Sequence, residues 1–263
     1  MPQSPSSKPS NWQAESFRLS LFLAPDVRAN GEGWWTKVAG AEPENRNAKP
    51  ARGELIESGF LAGNVLTLSV QPSRVDWFLS PNFFPEGDDG RAVGIKSVGA
   101  FESTGQTFLP TLINWLNDCP AIVRLAYGAV LLEPVDNREA GYLRIAEYLP
   151  AVKVDPFGSE DFFYQINRPR ESRAVKGLRL NRLSKWSVSS YQPLSIAIGV
   201  PQGQSGQPLV HSHGGTPAIA CRAEFDLSTP GGVQDKLPHD ALPGIFEELV
   251  ILGAEIAQKG DIP

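Results

Sequence analysis

The 263-residue chain predicts an α+β fold, a mainly antiparallel sheet with two principal helices packed on one face. Three observations predict it. Many short apolar runs alternate with period two and are separated by turn residues, in a chain holding 25 glycines and 23 prolines. Two longer stretches repeat their apolar residues every three to four positions. Neither an internal repeat nor a βαβ alternation is present. Residues 1–12, rich in Pro and Ser, read as a disordered leader. Residues 13–263 read as a single α+β domain with a polar insertion at about 25–53.

The first strand is Phe17 to Leu23, with Phe17, Leu19, Leu21 and Leu23 on one face. The insertion that follows carries Trp34 and Trp35. They are candidate aromatic anchors for a partner, or a lid folded over the chain's own core. Asn64–Val70, Gln71-Pro-Ser-Arg74 and Val75–Leu79 spell a β-hairpin with Leu66, Leu68 and Val70 on the side of Val75, Trp77 and Leu79. The loop Glu86–Gly90 has the composition of a calcium loop but neither its alternating ligands nor its distal glutamate, so it reads as a solvated turn. The first helix runs from Thr107, its expected cap, to Asp118, with Pro110 in the first turn and Phe108, Leu112, Trp115 and Leu116 buried. Further strands are expected at 122–132, 142–154, 162–167, 177–191, 194–200 and 218–228. In the last, Cys221, Ala223, Phe225 and Leu227 alternate with Arg222, Glu224 and Asp226. The second helix spans Asp240 to Lys259, with Asp240 as cap and Gly260 as stop.

The hairpin Val65–Trp77, the helix Phe108–Asn117, the strand Ile122-Val-Arg-Leu-Ala-Tyr-Gly128 and the late strand Ala223-Glu-Phe-Asp-Leu227 before a terminal amphipathic helix carry a likeness in element order. Over roughly residues 55–260 the chain resembles a sporadically distributed family of uncharacterised bacterial proteins of similar length. That resemblance implies a single α+β domain and carriage on mobile-element or defence loci. It transfers no catalytic residue.

The net charge is −5, with 24 basic and 29 acidic residues, so the molecule as a whole does not attract polyanions. Charge is nevertheless segregated. Arg168, Arg170, Arg173, Lys176, Arg179, Arg182 and Lys185 lie within 18 residues beside a single acid, Glu171, leaving −11 elsewhere. Trp186 adjoins this run as a third candidate aromatic anchor. Guanidinium groups pair bidentately with phosphate or carboxylate, and aromatic faces stack on bases or on guanidinium. The basic hairpin 168–185 is therefore a candidate site for an anionic partner, either a protein surface or a weak nucleic-acid contact. The competing reading pairs its arginines with the chain's own carboxylates.

His211 and His213 lie in a Gly-rich segment read as a loop. On an extended backbone they would sit about 7 Å apart, a spacing that suits a metal only after bending. Cys119 and Cys221 read as small buried thiols in a reducing compartment. No Walker loop, G-x-G-x-x-G after a strand or nucleophile elbow is found. No apolar run approaches a membrane span, and the start has no signal-peptide core. The expected function is a non-enzymatic, cytoplasmic binding or assembly protein. It would be an accessory component of a bacterial mobile-element or defence locus, with a protein partner and no cofactor. The alternative is a metal-dependent hydrolase using His211 and His213.

Overall fold

The computed structural model describes residues 11–82, 95–191, 194–199, 209–214, 217–232 and 235–262, with backbone alone for 194–199 and 209–214. The expected α+β architecture is what it shows. Eleven strands form one antiparallel sheet: β1 (Gln13–Leu23), β2 (Asn45–Lys49), β3 (Glu54–Leu61), β4 (Asn64–Gln71), β5 (Arg74–Ser80), β6 (Gly99–Ala100), β7 (Ile122–Val135), β8 (Phe163–Asn167), β9 (Arg170–Glu171), β10 (Arg179–Tyr191) and β13 (Ala218–Ser228). Their order is β2-β3-β4-β5-β1-β7-β13-β10-β8, with β6 beside β1 and β9 beside β10. Between β10 and β13 the chain makes a separate two-stranded sheet, β11 (Leu194–Gly199) with β12 (Leu209–Gly214). The helices are α1 (Trp34–Ala39), α2 (Phe101–Trp115), α3 (Arg138–Tyr148) and α4 (Leu242–Lys259).

Period-two alternation selects the sheet face that the helices cover. Phe17, Leu19 and Leu21 of β1, Val75 and Trp77 of β5, and Leu125 and Tyr127 of β7 are all fully buried on it. The β4–β5 turn is Pro72-Ser73, as expected, with Gln71 paired to Arg74. The β3–β4 turn, Ala62-Gly63, has φ of 49° and 80°. Positive φ at both central residues matches the twist of the flanking strands.

All six tryptophans serve the core. Trp34 meets Trp115 at 5.2 Å and Trp115 meets Trp77 at 5.4 Å, while Trp12, Tyr148 and Trp186 form a second cluster beside Phe225. Trp35 is 1% exposed and Trp186 0%. The expectation that Trp34, Trp35 and Trp186 anchor a partner is therefore corrected for the latter two. A ring enclosed by its own core offers no area to another molecule, and the half-buried Trp34 packs edge-on against Trp115.

Further expectations change. Helix α2 starts at Phe101, so Pro110 lies in its interior and Thr107 is not a cap. The Thr107 hydroxyl instead donates within the helix, to Ser103 O at 3.2 Å and Thr104 O at 3.0 Å. Phe101, Gly105 and Leu109 extend the buried stripe, and packing outweighs the hydrogen bond that Pro110 removes. Residues 142–154, expected as a strand, instead begin inside α3. Asn137 caps that helix by accepting from Ala140 N at 2.8 Å. It lies on the same face as α2 and α4, against β7, β13 and β10.

Helix α4 follows a short turn at His239–Ala241, so Asp240 precedes the helix rather than capping it. It ends at Gly260, which has φ 75° and lies where a Cβ would come within 2.0 Å of Tyr148 O, so only glycine fits. The expected loop at 86–90 lies outside the described residues. The histidine segment, read as a loop, is strand β12 over Leu209–Gly214.

Candidate functional site

The basic hairpin is largely neutralised from within. Arg168 pairs bidentately with Asp261, its Nη2 donating to Oδ2 at 2.8 Å, and Tyr164 OH donates to the same carboxylate at 3.0 Å. Those bonds hold the Asp261 carboxyl below its ordinary range, against the opposing effect of burial. Arg170 Nη1 donates to Glu255 Oε2 at 2.8 Å, and Lys185 Nζ to Glu224 Oε1 at 2.8 Å. Arg182 faces inward, as alternation along β10 requires, and is 2% exposed with Glu255 at 3.6 Å. Burial, with Arg170 nearby, lowers its pKa.

The turn itself is cupped by α4. Glu248 accepts from Ser172 Oγ at 2.7 Å, Arg173 N at 2.9 Å and Ala174 N at 3.2 Å. A groove of about 720 Å³ separates turn from helix, with Glu102, Glu171, Arg173, Glu247, Glu248 and Ile251 among its lining. Of the seven cations, Arg173, Lys176 and Arg179 make no ion pair among the described residues.

The remaining chemistry-bearing residues are placed as follows. His211 and His213 pair in register with Ala197 and Ser195, and their side chains lie outside the described residues. No group of three His, Cys, Asp or Glu side chains suited to a metal occurs among the described residues. His239 Nε2 lies 2.9 Å from Cys119 O. Burial, with the Asp118 charge adjacent, pushes the Cys119 thiol up to about 12. Burial, with Glu133 nearby, does the same to Cys221. Both therefore stay protonated at neutral pH. A third cluster lies under α3. Arg144 Nε donates to both oxygens of Glu133 at 3.0 Å, Arg144 Nη2 to Tyr148 OH at 2.8 Å, and Tyr148 OH to Glu133 Oε2 at 3.2 Å. This closed network satisfies its own members and pins α3 to β7.

The second face of the sheet carries a constellation that the sequence reading did not single out. No described helix lies on it. On three adjacent strands it presents Arg74 and Asp76 of β5, Arg18, Ser20 and Phe22 of β1, and Arg124 of β7, with Phe22 in register between Arg74 and Arg124. Both guanidinium groups stack on the Phe22 ring, their carbons 5.2 Å and 4.9 Å from its centroid. Arg74 is committed to Asp76, with Nε to Oδ1 at 2.9 Å, and also donates to Ser20 Oγ at 3.2 Å. Arg124 donates to Ser228 Oγ at 3.1 Å. Arg18 lies across Gly128, 3.4 Å from where a Cβ would stand, so the absent side chain lets the guanidinium lie flat. The Nε atoms of Arg18 and Arg124 are buried without an acceptor, and neither group has a described carboxylate in ion-pair range. A period-two pattern could have placed these three arginines on one face. Their alignment in register depends on β1 lying between β5 and β7, which the chain order does not announce.

No protein-family model, no curated protein and no solved structure matches this chain.

Proposed function

We propose that this chain is a non-enzymatic binding or assembly protein that contacts an anionic partner, as an accessory component of a bacterial mobile-element or defence locus. One observation carries the reading: Arg18 and Arg124 sit near the middle of a sheet face on which no described helix lies, each half-buried and with no described carboxylate in ion-pair range. A half-buried guanidinium without a counter-charge costs free energy, and a carboxylate or phosphate that a partner brings to its accessible side offsets that cost. The raised thiol pKa values and the self-satisfied Glu133–Arg144–Tyr148 network support a binding rather than a catalytic role. In the hairpin 168–185, Arg173, Lys176 and Arg179 are left as secondary contacts, because Arg168, Arg170 and Lys185 pair with internal carboxylates and Arg182 is buried.

The experiment is a fluorescence-anisotropy titration with labelled polyglutamate and with single- and double-stranded DNA and RNA, at low and moderate salt. It compares wild type, an Arg18→Gln/Arg124→Gln variant and an Arg173→Ser/Lys176→Ser/Arg179→Ser variant. Salt-sensitive binding to at least one polyanion is expected, weakened about tenfold or more by the sheet-face variant and less by the hairpin variant. Equal binding by wild type and the sheet-face variant, or no binding to any polyanion, overturns the reading.

A further inference from the structure

The arginine face continues, without a break in the sheet, into a surface with no charge at its centre. One row in register runs Ser58, Thr67, Phe78, Arg18, Gly128 across β3, β4, β5, β1 and β7. Phe60 pairs with Val65 on one side of that row and Ile56 with Ser69 on the other. Ile56 is 48% exposed, Phe60 53% and Phe78 38%, three of the few large apolar side chains exposed among the described residues. The charged pair at this end, Lys49 with Glu54, stands at the far corner, and Arg46 with Glu57 lies on the opposite face by alternation. Charge depletion with aromatic enrichment marks the centre of a protein-binding patch.

Resting on the anionic-partner reading, we infer that the partner presents an acidic amphipathic segment, seated with its apolar side chains on Ile56, Phe60 and Phe78 and its carboxylates at Arg18 and Arg124. The charge pattern selects this occupant. A nucleic-acid strand needs cations that track its backbone between the stacking rings. Here the exposed rings and the arginines are segregated, so a strand crossing β3 to β5 would carry several phosphates past a surface with no counter-charge. A protein segment with apolar residues at one end and acids at the other matches both halves. From β2 to β7 the face spans roughly 24 Å at ~4.8 Å per strand, the length of a helix of about 16 residues.

The test uses the full chain and synthetic 18-residue helical peptides that bear Leu and Ile on one face, with glutamates grouped at the N-terminal end in one and at the C-terminal end in another. Comparators are the same residues in scrambled order, a version with Lys for Glu, and a 15-nucleotide single-stranded RNA. One acidic amphipathic peptide should bind at least tenfold tighter than its scrambled and lysine counterparts. Phe60→Thr/Phe78→Thr should weaken it about tenfold with little change in salt dependence, and Arg18→Gln should weaken it chiefly at low salt. Both substitutions alter exposed or half-exposed strand positions, and circular dichroism melts confirm that the variants fold. If scrambled and ordered peptides bind equally, if the Phe variant binds as wild type does, or if no peptide binds, the inference is overturned. RNA binding that depends on Arg18 and Arg124, with no peptide binding, also overturns it and leaves the anionic-partner reading intact. Binding of neither peptide nor RNA overturns the inference, and it overturns both readings when the polyanion titration is also blank.

Discussion

Two buried carboxylates show how a single residue's environment sets the sign of a stability effect. Asp261, 6% exposed, has its carboxyl pKa lowered by Arg168 and Tyr164. Its folded value lies below the unfolded one, so its contribution is fully present above the ordinary aspartate range and disappears as pH falls through the folded value. Asp261→Asn should therefore destabilise by about 1–3 kcal/mol at neutral pH, with the gap to wild type closing in acid denaturation series run towards pH ~2. Glu57, 3% exposed, is shifted the other way, because burial outweighs the attraction of Arg46 at 3.4 Å. A raised folded pKa means that stability is lost as pH rises through the glutamate range. Glu57→Gln should accordingly raise the melting temperature at pH 7, by the equivalent of roughly 1 kcal/mol, and give no gain at pH ~4. Thermal melts at the two pH values check both signs.

At the scale of elements, glycine sets how closely the helices approach the sheet. Gly253 lies in the second half of α4, where a Cβ would come within 2.9 Å of Tyr127 Cε1, and Tyr127 is fully buried against Phe246. Alanine gains about 1 kcal/mol of helix propensity, but overpacking a closed ring contact costs about 1–3 kcal/mol. Gly253→Ala should therefore lose stability, by roughly 1 kcal/mol in urea unfolding, where propensity alone predicts a gain. Gly141 of α3 repeats the device, with Val188 at 2.9 Å from its Cβ position. Helix α3 carries helical signals that compete with a strand-like composition. Asn137 in a cap position and the spacing of Tyr142, Ile145 and Tyr148 are helical signals, although the apolar and aromatic content of 142–154 suggests a strand.

For the molecule as a whole, α4 closes the core. Leu242, Ile245, Phe246, Leu249, Leu252 and Ile256 are buried, and Trp12 Nε1 donates to Ala257 O at 3.0 Å from the other end of the chain. Burying six such side chains contributes on the order of 10 kcal/mol, comparable with the entire net stability of a domain. Truncation before Asp240 should yield an insoluble or molten product, with dye-accessible apolar surface and no near-ultraviolet circular dichroism. A cooperative melt of the truncated chain would contradict that role.

Local pattern determined much of this protein. The 64–79 hairpin, the alternation of β1 and β13, the stripe of α2 and the terminal helix all follow from residues a few positions apart, whose spacing dictates which face they share. Tertiary structure alone decided the pairing of charges. Arg168 and Arg170 find Asp261 and Glu255 93 and 85 residues away, so a run that reads as a cationic surface becomes mostly an internal ion-pair network. The same holds for Arg18, Arg74 and Arg124, scattered through the chain and aligned only because β1 lies between β5 and β7. Coulomb attraction and desolvation act on distance in space, and the order of strands in a sheet sets that distance.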